Sequence, residues 1–393
     1  MGGLFAAHLL RQHGWTVHVS ERVHVPLSGR GAGIVTHPQL WRVLERLGLS
    51  LDGLGIQVHR RITLGSDGAI LGMLDCPQTM TSWDRVFRML RTTWPDAQYS
   101  GGEALDRITQ DTDTVTAHFT GGATRTANLL VAADGIRSPV RALLPPGAMS
   151  DNSPQYAGYI AWRGLVPEAH IPAQAHADLF SHFAFCLPEG EQILGYPVAG
   201  PDDDLRPGHR RYNFVWYRPA DGLHALPDLL TDITGHRHHL SIPPPLIRPA
   251  LIAAMRTDAH RRLAPQFATM VDATPTPFLQ PIYDLECATM AHGRIALLGD
   301  AAFVARPHLG AGVTKAAEDA VALAEALETT TDIPAALETY AATRHSAGQY
   351  LVQRARALGT MLQATQTQSE QTTAAHHRTA EAVMRETARL DVQ

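Results

Sequence analysis

An apolar run that stops at Gly-Asp, passes through a Pro- and Gly-rich loop and enters a long Ala-rich helical pattern constrains this chain more than any other feature. The run is Ile295 to Leu298, the stop is Gly299-Asp300, the loop runs from Pro307 to Gly312, and the helical pattern continues through Asp319. It reads as a buried strand that ends in a carboxylate. A glycine-lined backbone follows, which a planar ligand can approach closely, and then a helix N-terminus whose free N–H groups and positive dipole end favour negative charge. Such an arrangement suits a reduced flavin.

Two further segments belong to the same kind of unit. Gly2-Gly3 and the residues to Trp15 read as the end of a dinucleotide fingerprint and its helix, and Val17 to Glu21 as the next strand. Glu21, with Arg22 beside it, sits where a Rossmann-type unit places the acid that binds a ribose. The segment Leu129 to Arg141 carries Asp134-Gly135 after a second apolar run. A fingerprint needs a strand before its glycines, yet here Met1 precedes Gly2-Gly3 directly, so the reading is that the first strand is missing. Two explanations stay open: a start placed too far downstream, which we favour because the other motifs are intact, or a non-catalytic homologue that binds FAD poorly or not at all.

The three segments, in this order, resemble the fingerprint, DG and GD motifs of the FAD-dependent aromatic hydroxylases, the single-component flavoprotein monooxygenases. Pro307-x-x-Gly310-x-Gly312 is the most specific piece. The resemblance runs from Gly2 to about Leu351. It is closest, within that family, to enzymes acting on hydroxylated pyridines, through Tyr156 to Gly164, Arg211 to Tyr217 and the pattern at 26 to 34. It implies FAD and NAD(P)H as cofactors, and a reaction in which NAD(P)H reduces FAD, O2 adds at C4a and the hydroperoxide delivers one oxygen to a phenolic or hydroxypyridine ring. Gly3, Glu21, Arg22, Gly33, Asp134, Gly299, Asp300, Pro307, Gly310, Gly312 and Val313 would then contact the cofactor. In this scheme Asp300 holds the ribityl chain, and N–H groups near Gly312 and Val313 face the flavin's N1 and C2=O. A base near the ring would help. The candidates are His308, Tyr217 and Tyr159, with Tyr196 and His182 beside them; for the aromatics, plain sheet packing is the competing reading.

The resemblance implies an α/β fold, with a Rossmann-like FAD-binding domain, an interleaved antiparallel-sheet substrate domain and a C-terminal helix. The FAD-binding parts are 1–57, 81–150 and 276–345, the substrate domain is 58–80 with 151–275, and 346–393 is the helical segment, a candidate homodimer interface. At 393 residues and 45% hydrophobic content two domains are expected. The loop at Ser28 to Gly33 reads as a backbone contact with the cofactor. Val58 to Leu74 reads as a hairpin around Gly65-Ser66-Asp67-Gly68, and Tyr156–Val166, Phe180–Leu187, Gln192–Val198 and Arg211–Tyr217 as strands of an antiparallel sheet. After Tyr340 one long helix is expected toward Asp391.

The remaining chemistry is mostly exclusion. A formal net charge of -5 without a Lys/Arg-rich block argues against nucleic acid. No eighteen-residue apolar run and no secretory leader pattern occur, so no membrane partner and a cytoplasmic location are expected. Cys76, Cys186 and Cys287 match no metal spacing and read as free thiols, and His236, His238 and His239 read as a solvated loop without a ligand set, so no metal is expected. The Trp-x-Trp-x-Ile signature of flavin halogenases is absent. What remains is an enzyme whose partners are a small aromatic substrate and O2.

Overall fold

Small residues let the first helix sit deep in the molecule. Gly2–Gln12 buries Leu4, Phe5, Ala6, Ala7, Leu9 and Leu10 and packs on the helix Gly312–Thr329, whose inner face is Ala316, Ala317, Ala320, Leu323 and Ala324. Alanine on the inner face allows close backbone approach, and at Gly2 even a Cβ would come within 2.8 Å of Leu298 Cδ2. This computed structural model describes residues 1–24, 33–144 and 153–390. Of the loop expected at 28 to 33, all but Gly33 lies outside the described residues.

The parallel sheet is in two pieces. Val19–Glu21 pairs in parallel with Tyr99–Gly101, and Leu130–Ala132 pairs in parallel with Ile295–Leu297, which is flanked by antiparallel Ala291–His292. Among the described residues no strand pairs with the second edge of Val19–Glu21 or of Leu130–Ala132. A separate antiparallel sheet joins Leu105–Gln110, Val115–Phe119 and Thr124–Ala127.

The larger sheet has nine strands, in the spatial order Phe303–Val304, Phe278–Glu286, Gln155–Pro167, Arg211–Pro219, Gln192–Val198, His182–Cys186, Ile56–Leu64, Ile70–Ser82 and Gly33–Val35. The hairpin expected around 65 to 68 is present. The purely antiparallel expectation is corrected: His182–Cys186 runs parallel to Ile56–Leu64, a pairing that the long intervening stretch of chain permits. Alternation sorts the side chains into two faces. Ile160, Trp162, Ala184, Ile193, Phe214 and Trp216 pack under the helices Ala173–Leu179, Pro249–Arg262 and Pro265–Asp272. Tyr159, Phe183, Leu194, Tyr196, Val215 and Tyr217 form the other face. Two of those helices open with proline in the first turn, where its missing N–H costs nothing, and the turn-based reading did not draw them.

The single long C-terminal helix is also corrected. The helix Ile333–Gly359 stops where a Cβ on Gly359 would lie 2.5 Å from Tyr159 Oη. A turn at Thr360–Leu362 follows, and the chain then folds back as Gln368–His377, started by a Thr367/Glu370 capping box, and Ala380–Glu386. No described helix is long and apolar enough to cross a membrane.

Candidate active site

The Gly-Asp turn is fastened to the helix behind it. Gly299 takes φ 64°, which glycine adopts without the Cβ penalty, and its N–H donates to Asp319 Oδ2 at 3.0 Å. Asp319 also accepts from Arg344 Nε at 2.7 Å and lies 3.4 Å from Lys315 Nζ, so one buried carboxylate holds two cations and a backbone donor. Asp300 follows, its side chain exposed to the open cavity. Burial raises its pKa, Lys315 opposes the rise, and Asp319 adds to it.

Beyond the edge strand Phe303–Val304 the chain turns at Pro307–Leu309, and Gly310 at φ 61° redirects it into the helix Gly312–Thr329. No side chain caps that helix, so its first N–H groups have no partner within it. Thr314 Oγ1 is buried without a hydrogen-bond partner, and nothing stands within 4 Å of where a Gly312 Cβ would be. An open helix N-terminus, an orphan hydroxyl and a carboxylate fit the polar edge and ribityl chain of a flavin.

Asp300 and the helix end at Gly312 and Val313 line a cavity of about 260 Å³ against the aromatic face of the large sheet. Asp300, Pro307, Gly310, Gly312 and Val313 line it from the Gly-Asp turn and the helix end, and Gly33, Tyr196, Tyr217, Arg163 and Gln280 line it from the large sheet. Tyr159 Oη is 2.7 Å from His308 Nε2, and Tyr217 lies 4.8 Å from the His308 ring, centre to centre. Burial pushes His308 down to about 3, helped by the charge of Arg306 and then by His377. Burial also raises the phenols of Tyr159 and Tyr217, and takes Tyr196 to about 12. Arg306 is held by Asp284 at 2.9 Å and lies over the Tyr159 ring.

The structure brings most, not all, of the expected site residues together. Gly33, Tyr217, Asp300, Pro307, His308, Gly310, Gly312 and Val313 line the cavity, with Tyr159 directly behind His308. Gly3, Glu21, Arg22, Asp134 and Gly299 lie outside it. Asp134 accepts the Val140 N–H and so caps the short helix Pro139–Leu143, while Glu21 accepts from Val23 N at 2.9 Å. His182 is no part of the site; its Nδ1 meets Asp178 O and Ser181. At 236 to 239 His236 and His239 are exposed, as a solvated loop requires, while His238 has a carboxylate partner the sequence did not show, Asp232 at 2.8 Å.

Sequence reasoning missed Arg163, Gln280 and Lys315. Arg163 donates to Gln280 Oε1 at 2.8 Å, while its buried Nε has no partner. A cation in an aromatic strand, Trp162-Arg163-Gly164, was the available signal. Lys315 is 2% exposed on the cavity side of its helix, a position that helical periodicity alone does not mark as polar.

Comparison with known proteins agrees with this geometry. A family model described as an FAD binding domain matches residues 1–193 and 280–355, and one described as FAD binding domain-like matches 156–284. The chain is 29% identical to 2,6-dihydroxypyridine 3-monooxygenase of Paenarthrobacter nicotinovorans, over 92% of this chain and 89% of that protein. It is 30% identical to an FAD-dependent urate hydroxylase of Klebsiella pneumoniae, over 91% of this chain and 86% of that one. The solved structure of 2,6-dihydroxypyridine-3-hydroxylase from Arthrobacter nicotinovorans superimposes with a TM-score of 0.85 at 29% identity, covering 92% of this chain and 90% of that chain. With the matched segments spanning most of its length, and with the Gly-Asp turn, open helix end and aromatic sheet in one cavity, the chain belongs to the FAD-binding-domain family and is a flavoprotein of the aromatic hydroxylase type.

Proposed function

We propose that this protein hydroxylates a small phenolic or hydroxypyridine-type ring, using FAD, NAD(P)H and O2. One observation carries the reading: the Gly299-Asp300 turn and the open end of Gly312–Thr329 face Tyr217, Tyr196 and Arg163 across one small cavity. FAD, once bound and reduced by NAD(P)H, supplies the means for one atom of O2 to enter the ring while the other leaves as water.

The chain's own residues position, hold charge and exclude water. The N–H groups of Gly312 and Val313 would hold the electron-rich edge of the flavin, and Asp300 would accept from its ribityl hydroxyls. Gly3, Glu21, Arg22, Asp134 and Gly299 would serve the remainder of the cofactor. Arg163 is the cation on the opposite wall. Its guanidinium, which lines the cavity, would hold a deprotonated ring oxygen, the form in which the ring is most open to electrophilic attack. The Tyr159–His308 pair stays uncharged at neutral pH, since His308 is pushed down to about 3 and the phenol upward. In this reading His308 accepts the Tyr159 hydrogen bond, and Tyr217 donates to substrate rather than acting as a base.

Purified protein with added FAD is assayed for NAD(P)H oxidation stimulated by dihydroxylated phenols and pyridines, with products analysed by mass spectrometry. A product heavier by one oxygen is the expected result. Oxidation confined to aliphatic substrates would overturn the assignment. Protein that cannot be reconstituted with FAD would also overturn it.

A further inference from the structure

The end of the described chain reaches back to close the cavity. The helix Ala380–Glu386 lies on Ile56–Leu64 and Ile70–Ser82, and its Val383 and Met384 join the apolar cluster that contains Tyr159, Phe183 and Tyr217. Past that helix, Thr387 and Ala388 line the cavity. Ala388 N–H donates to the carbonyl of His308 at 2.6 Å, and a Cβ on Gly310 would stand 3.5 Å from the Ala388 Cβ. The tail therefore abuts the same Pro307–Gly310 loop that faces the flavin position.

A buried cation fixes this tail. Arg61 is fully buried on Ile56–Leu64, and its Nη1 donates to Met384 O at 2.6 Å and to Thr387 O at 2.7 Å. Gln78 accepts from Arg61 Nε at 3.1 Å and donates to Ala388 O at 3.0 Å, while the guanidinium lies 5.0 Å from the Phe183 ring centre. None of these hydrogen bonds goes to a carboxylate. The carbonyls held are the ones a helix end leaves without partners, so Arg61 and Gln78 act together as a tertiary cap. On the outer side Glu386 meets His376 and His377, each at 3.1 Å, and Arg354 at 3.3 Å. Ala388 has φ 53°, a conformation that a non-glycine residue rarely adopts and that persists only where the surroundings enforce it.

We propose that Thr387 and Ala388 form a size-limiting wall of the substrate cavity, and that Arg61 is the positioning residue that holds the wall in place. The proposal rests on the hydroxylase reading above. Thr387 and Ala388 line the same cavity of about 260 Å³ as Asp300, Gly312 and Val313, so once the flavin occupies its share their position bounds the room left for the ring. With the wall in place the site admits one ring; with it loosened, two fused rings enter.

The test uses the full chain with FAD, 2,6-dihydroxypyridine as the one-ring probe and a dihydroxyquinoline as the two-ring probe. Binding is read from flavin fluorescence, turnover from product, and tail order from hydrogen exchange of 380–390. In Arg61→Gln, exchange at Ala388 should rise at least tenfold and the ratio of two-ring to one-ring affinity should rise at least tenfold. Ala388→Gly, which keeps the backbone because glycine accepts φ 53° freely, should raise the ratio at least threefold with exchange little changed, and it serves if Arg61→Gln does not fold. Loss of thermal stability with an unchanged ratio in both variants would overturn the proposal, since a merely structural tail predicts that result. Neither probe being oxidised by the wild type would fail the hydroxylase reading alone, because the binding ratio and the exchange still report on the wall.

Discussion

Replacing Asp300 by Ala separates a cofactor contact from a fold contact. The carboxylate sits at the end of a buried strand, and burial raises its pKa against the opposing charge of Lys315. In the protein without FAD such a group is a burden rather than a support. Its folded-state pKa lies above the unfolded value, so the folded state binds more protons. Stability from this group is then greatest at low pH and declines as pH rises from the unfolded pKa through the folded one. Asp300→Ala and Asp300→Asn should remove that decline and leave the thermal midpoint without FAD unchanged or higher at pH 7. Binding behaves oppositely. A charge-assisted hydrogen bond to the ribityl chain is worth about 1.5–3 kcal/mol, which is roughly 10- to 150-fold in FAD affinity. The assay is titration of FAD-free protein with FAD by flavin fluorescence, with scanning calorimetry of the same samples. An unchanged Kd would show that Asp300 only ends the strand. A lowered midpoint without FAD would refute the electrostatic argument.

Asp319→Ala leaves Lys315 and Arg344 buried without their carboxylate, and a loss of about 3–5 kcal/mol in urea unfolding is expected. Gly310→Ala forces φ 61° on a residue with a Cβ close to Val35 and Ala388; a loss of about 1–2 kcal/mol should appear as a lower Tm. His308 is pushed down to about 3, so the folded state binds fewer protons than the unfolded state and stability should fall as pH drops below about 6.5, by at most about 1.4 kcal/mol per pH unit. His308→Gln should flatten that slope in equilibrium unfolding from pH 7 to 4. Arg163→Met should raise the substrate KM at least tenfold, and it should move any apparent substrate pKa upward in the pH profile of kcat/KM; an unmoved profile would place Arg163 outside the reacting assembly.

Legibility followed the range over which each signal acts. The Gly-Asp turn, the Pro307–Gly312 loop and the helix after them could be read because their requirements are local: a positive φ at Gly299 and Gly310, and an uncapped helix end within a few residues. The two faces of the large sheet could be read in part from alternation, as in Tyr159, Ala161 against Ile160, Trp162. The helices Pro249–Arg262 and Pro265–Asp272 drew no reading from the sequence, since the proline that opens each of them breaks a helix interior as readily as it starts a helix. The Ala- and Gln-rich end of the chain misled as well, for helical propensity there gives no sign of the turn at Gly359, which is set by contact with Tyr159 and His308.

By itself the sequence determined the family resemblance, the strand–turn–helix unit and the identity of most residues on the flavin side of the cavity. Tertiary structure alone decided what faces them. Tyr159 meets His308 across 149 residues, and Arg61 meets Met384 across 323. Such meetings depend on the register of nine strands and on where the tail returns, whereas propensity, periodicity and turn chemistry act over only a few residues. A one-residue slip in any strand would turn the aromatic face away from the cavity, and local pattern cannot show which partner strand fixes that register.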